Sequence, residues 1–196
     1  NVKFIYNPID DDLQPDKTKV DEWKLFFPSA ACKGLERTVQ AFRAIERKYP
    51  RFRLMIANPG YFKSLQFYKE RRIHVLGSIP HAAVIRHMRS SFALFTANTV
   101  FPETFGLVYA EANAVGTPCL SLDWGAVSEV VSDTSQLLHA DATSEQIVAR
   151  LTDWKENGRP HVTPREDFRL TTIAREWEAL FTQATKPKEK PCHNTT

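Results

Sequence analysis

No apolar run in this chain approaches the ~20 residues needed to span a bilayer, and no signal-peptide pattern stands at its start. Its three cysteines, Cys32, Cys119 and Cys192, are an odd number without a CxxC spacing. That argues against a disulfide framework and a zinc site, and for reduced thiols. These absences set the expectation of a cytoplasmic protein, with contact at a membrane surface left open, and they make the Asn194-Thr195-Thr196 glycosylation pattern a coincidence. An excess of one charge is missing too: 26 basic against 23 acidic residues leave a scattered net charge of +3. There is no case for nucleic acid as a partner. His74, His81 and His87 form no metal-ligand cluster and read as surface or packing residues, and no Ser-His-Asp or Cys-His set is recognisable by spacing.

What is present is enough for a full core, since 196 residues that are 42% hydrophobic can close one domain. Short apolar segments at 2–6, 24–28, 53–57, 73–76, 92–96, 118–122 and 136–139 read as strands. Between them, helices are expected at 34–49, 80–90, 107–115 and 126–131. On the first helix Leu35, Val39, Phe42, Ile45 and Tyr49 recur at spacings of three and four and so share a face. Two more helices follow, one over 144–154 with Ser144 as its N-cap and Ile147, Val148, Leu151 and Trp154 as its buried stripe, the other over 168–183 carrying Ile173, Trp177, Leu180 and Phe181. Strands alternating with helices imply an α/β, Rossmann-like parallel sheet with helices on both faces. The expected division is a domain over 1–184 and a polar, proline-broken, disordered tail over 185–196. Ligands of such sheets bind at the carboxyl ends of the strands, where the loops at 29–33, at 77–80 and after the fourth strand would converge.

The richest stretch is residues 101–121, FPETFGLVYAEANAVGTPCLS, which sets Glu103 and Glu111 eight positions apart around a helix start. Glu103 lies in a polar turn, Gly106 lets the backbone approach a ligand, and an alanine-rich helix follows. A helix N-terminus offers unpaired N–H groups and partial positive charge to a phosphate. Carboxylates would repel that phosphate but accept hydrogen bonds from sugar or ribose hydroxyls.

With Gly116-Thr117-Pro118 closing the helix, the stretch resembles the sugar-nucleotide signature of group 1 glycosyltransferases, the retaining family of GT-B fold. The resemblance covers roughly residues 7–131. It implies a catalytic-site role for Glu103 on the donor sugar and for Lys33, in Ser29-Ala30-Ala31-Cys32-Lys33-Gly34, on the diphosphate. It also implies donor binding by Glu111 through the ribose, by the turn Thr104-Phe105-Gly106-Leu107 through backbone amides, and by Gly77 and Ser78 beside the base. One departure concerns an arginine that the family carries just upstream of the lysine; Pro28 and Ser29 occupy its place, and Ser29 is counted with the donor-binding residues. Lys63, Arg71 and Arg72 are the cations available to compensate, with Lys33 and the helix start favoured to act without them. Asp123, Trp124, Gly125 and Glu129 are further candidates to line the pocket.

Asn7-Pro8-Ile9-Asp10 matches the family's domain-crossing turn with proline in place of glycine, so the chain is expected to be the C-terminal half of a two-domain enzyme. The resemblance further implies a nucleoside-diphosphate sugar as donor, no metal or other cofactor, and a glycan, lipid or other acceptor held by an N-terminal domain. The alternatives are a non-catalytic nucleotide-sugar-binding module, a sugar-nucleotide epimerase or a phosphorylase-like enzyme.

Overall fold

A computed structural model describes residues 4–60 and 70–185. Strands β1 (Asp21–Pro28), β2 (Arg53–Ala57), β3 (Ile73–Gly77), β4 (Ser91–Phe95), β5 (Cys119–Asp123) and β6 (Leu137–His139) alternate with helices α1 (Leu35–Lys48), α2 (His81–Arg89), α3 (Leu107–Ala114) and α4 (Val127–Val130). Helices α5 (Ser144–Asn157) and α6 (Leu170–Thr185) complete the described chain. The strands form one parallel sheet in the order β3-β2-β1-β4-β5-β6. Strand order therefore reverses between β1 and β4, which makes their carboxyl ends the topological switch point.

The two-residue period of a strand explains how one sheet feeds two cores. Leu25 and Phe27 of β1 point into the layer made by α1 and α5, with Val39, Phe42, Ile45, Leu151 and Trp154. Phe26, between them, points into the opposite layer with Ile85 and Met88 of α2 and Tyr109 and Ala112 of α3. Helices on both faces are what a sheet with no polar face requires.

Lys24 interrupts the apolar run of β1 and is nevertheless buried. Its Nζ donates to His87 O at 3.1 Å and Ser90 Oγ at 2.7 Å, so the lysine satisfies a carbonyl at the C-terminal end of α2. Burial pulls the ammonium down to about 8.

Several boundaries differ from the sequence reading. Strand β1 starts at Asp21 because Asp21 N donates to Ser90 O at 3.0 Å. The cap of α5 is Thr143 and not Ser144: Thr143 Oγ1 accepts from Gln146 N while Gln146 Oε1 accepts from Thr143 N at 2.8 Å, a reciprocal capping box. Residues 4–8 form no strand; Ile9 instead bridges to Arg169, whose Nη1 also donates to Asp10 O and Leu13 O. That bridge ends the short turn Glu166–Phe168 and delays the last helix to Leu170. On α6 Ile173 is buried, whereas Trp177 and Phe181 stack on each other at 5.6 Å and stay exposed. Lys63 and the tail beyond Thr185, with Cys192, lie outside the described residues.

Candidate functional site

The loop after β1 and the loop after β4 leave the sheet on the two sides of the switch point. They are held together from below. Thr38 of α1 donates to Gly34 O at 2.8 Å and accepts from Ala97 N at 2.9 Å, tying one loop to the other through a single hydroxyl. Above this tie Lys33 Nζ meets Glu103 Oε2 at 2.6 Å. The Glu103 side chain is 7% exposed and that of Lys33 36%, so the carboxylate sits in the wall of the site and the ammonium at its mouth.

Glu103 owes its position to a backbone clamp. Glu103 N donates to Trp124 O at 3.4 Å, and Ala126 N donates to Glu103 O at 2.8 Å. Between these two bonds lies Gly125, at φ +74°, where a Cβ would stand 2.4 Å from Glu103 O. A side chain there cannot coexist with the clamp. Gly125 is thus a support of the glutamate, a stronger role than pocket lining, while Asp123 and Trp124 are exposed beside it. Glu129 is exposed and its carbonyl accepts from Arg165.

The turn at 104–107 divides its labour. Thr104 and Leu107 are exposed, but the Phe105 side chain is buried between Tyr6 and Phe168, which leaves its backbone as the part that faces outward chemistry. Gly106 is the N-cap of α3 at φ +88°, and a Cβ on it would meet the Tyr109 ring at 2.7 Å. No side chain caps this helix, and although Tyr109 N donates to Gly106 O at 3.0 Å, the amides of Leu107 and Val108 ahead of it are placed to face an anion. Beneath them Tyr109 is fixed by Thr96 Oγ1 at 2.9 Å and Ser121 Oγ at 3.3 Å; burial raises its phenol and keeps it neutral.

Glu111 lies one turn into α3 with its side chain 13% exposed. Its Oε1 meets His81 Nε2 at 2.8 Å. Burial is the main force raising the Glu111 carboxyl, Asp10 adds to it, and His81 opposes it. His81 opens α2 directly after the loop carrying Gly77 and Ser78. Next to that loop a small cleft of about 100 Å³ is lined by Pro28, Ala57, Asn58, Pro59, Ile79 and Val84.

Ser29 follows the end of β1 and is half-buried. Arg71 and Arg72 are not brought to the site: Arg72 O accepts from Leu54 N at the opposite end of β2, a strand length of ~16 Å away. The sequence reading missed His81, whose pairing arises from the packing of α2 on α3 and has no local signal.

Comparison with known proteins identifies the fold and the family. N-acetyl-alpha-D-glucosaminyl L-malate synthase of Bacillus anthracis is 28% identical over 165 residues, covering 76% of this chain and 42% of its own length. The pneumococcal O-GlcNAc transferase solved with UDP and GlcNAc has a TM-score of 0.70 at 18% identity, over 90% of this chain and 38% of that protein. Anabaena HepE, solved with UDP and glucose, has a TM-score of 0.71 at 20% identity, over 92% of this chain and 56% of its own. At such identities these likenesses establish the fold, that of a GT-B glycosyltransferase domain. The chain spans less than two thirds of each of the three. The profile of the glycosyl transferases group 1 matches residues 13–174, and the chain therefore belongs to the group 1 glycosyl transferases.

Proposed function

We propose that this chain is the donor-binding domain of a cytoplasmic, retaining glycosyltransferase. It would hold a nucleoside-diphosphate sugar and present the sugar to an acceptor bound by an N-terminal domain of a longer protein. The observation that carries the reading is the Lys33–Glu103 contact of 2.6 Å at the switch point, beside the uncapped start of α3.

Breaking the sugar–phosphate bond builds negative charge on the departing diphosphate and positive charge on the sugar. Preorganised donors aimed at the leaving group lower that barrier. Lys33 and the amides of Phe105, Gly106 and Leu107 would neutralise the diphosphate without a metal ion. Glu103 would accept from sugar hydroxyls, Glu111 from the ribose, and Gly77 and Ser78 would border the base next to the small cleft. Ser29, standing where the family places an arginine, favours a second reading: a module that binds nucleotide sugars without transferring them.

A thermal-shift series with UDP-, GDP- and ADP-sugars tests the binding claim, UDP-sugars first because the structural neighbours named above were solved with UDP. A ligand that binds the folded state raises Tm with the logarithm of its concentration. If none of the three series moves Tm at millimolar ligand, the donor-site reading is wrong. Restoring an arginine by Ser29→Arg in the longer protein separates the two readings, since a transferase gains turnover and a binding module gains affinity without product.

A further inference from the structure

We infer that His81 is a positioning residue for the nucleotide end of the donor site, acting through the Glu111 carboxylate, an inference that rests on the donor-site reading above. His81 sits on a different helix from Glu111, and its Nε2 lies 2.8 Å from Glu111 Oε1. The partners differ sharply in environment: the His81 side chain is 60% exposed and that of Glu111 13%. An exposed ion pair ordinarily contributes little. Here one partner is a carboxylate shielded from water, with the charge of Asp10 nearby, and such a group must find a donor or give up its charge.

His81 can supply that donor because its backbone is fixed. Ile85 and Met88 bury the inner face of α2, and Lys24 holds the helix at its far end. Helix packing brings the two residues together, but the imidazole itself is not wedged into the core, so its hydrogen bond to Glu111 is not forced by burial of the ring. Among the described residues its use of Oε1 leaves Oε2 and the second lone pair of Oε1 open. Two adjacent ribose hydroxyls fit that remainder, giving a chain of imidazole, carboxylate and vicinal diol. The groups that bear on the Glu111 charge are His81 from α2 and Asp10 from the segment ahead of β1. Removing His81 leaves burial and Asp10 unopposed, so Glu111 holds its proton to higher pH.

The test compares UDP with 2′,3′-dideoxy-UDP on the parent chain, His81→Ala, His81→Gln and Glu111→Ala, by calorimetric titration between pH 5.5 and 8. His81→Ala is expected to weaken UDP roughly 3- to 10-fold at neutral pH, the range of one hydrogen bond, and to leave the dideoxy nucleotide unchanged. His81→Gln, which keeps an N–H donor, restores most of the UDP affinity at neutral pH. In His81→Ala the preference for UDP over its dideoxy form vanishes at a higher pH than in the parent. Equal loss for both nucleotides would make His81 a structural residue, and a gain in UDP affinity would make it a competitor of the ribose; either overturns the inference. If Glu111→Ala weakens UDP while His81→Ala does not, the inference falls and the donor reading stands. A parent that binds neither nucleotide brings down both.

Discussion

At the scale of single residues, Glu103 and Lys33 are coupled by burial. A carboxylate left in the wall of the site without its cation is costly, and breaking a fully buried pair costs about 3–5 kcal/mol. Lys33 is a third exposed, so Lys33→Ala should destabilise the domain by less, about 1–3 kcal/mol in urea denaturation. Adding Glu103→Gln should recover most of that loss, because it removes the stranded charge, while UDP binding stays weak in both variants. Additive losses in the double variant would show that the pair does not interact. A second prediction concerns Lys24. Its folded value of about 8 lies below the ordinary 10.5, so between those pH values the unfolded chain binds more protons and stability climbs with pH. Buried Cys119 and Tyr109, both raised, work the other way at alkaline pH. The contribution is therefore read as the difference between parent and Lys24→Met, which should grow in favour of the parent from about pH 8 to 10.5. The sequence made Glu103, Glu111 and Lys33 visible because each belongs to a local pattern of turn, glycine and helix start. His81 and Asp10 were invisible as neighbours of Glu111, since nothing local distinguishes a surface histidine at a helix start from one that reaches across to another helix.

At the scale of elements, the strand–helix alternation was readable because fully buried strands are short apolar runs and surface helices carry a 3.6-residue stripe. Legibility failed where a tertiary contact set the boundary. Thr143 and Ser144 are equally good caps on paper, and Gln146 chose between them; the start of α6 was moved by the Ile9–Arg169 bridge. The stripe of α6 was readable, but periodicity cannot tell a face that is covered from one that is bare. Ile173→Ala should therefore cost about 2–4 kcal/mol, whereas Trp177→Ser with Phe181→Ser should cost less than about 1 kcal/mol in this chain. A large loss for the exposed pair in chemical denaturation would contradict their placement. The loop clamp carries another expectation. Gly125→Ala should weaken UDP-sugar binding by at least about tenfold, the equivalent of ~1.4 kcal/mol, because Glu103 has to move. A crystal structure of the variant with the Glu103 backbone in place would refute the clamp as its cause.

At the scale of the whole molecule, the chain covers 42% of the N-acetyl-alpha-D-glucosaminyl L-malate synthase it resembles, and its site edge presents Val100, Phe101, Leu107 and Trp124 to solvent. If the proposed division holds, with the acceptor on an N-terminal domain of a longer protein, the chain by itself should bind UDP-sugar and form no glycosylated product. Product formation by this chain near the rate of the longer protein, followed by mass spectrometry of the acceptor, would end that assignment. The switch point has one more implication. Lys33 belongs to the half of the sheet built from β1, β2 and β3, and Glu103 and Glu111 to the half built from β4, β5 and β6. A ligand that spans them straddles the seam between two units that already meet through the β1–β4 pairing, the layers above and below it, and the Thr38–Ala97 and Lys33–Glu103 contacts. Such a molecule acts as a removable cross-link: by slowing the parting of the halves it converts two local openings into one cooperative event. Amide hydrogens in β2 and in β5, on opposite flanks of the sheet and remote from each other, would then slow together in exchange measurements as donor is added.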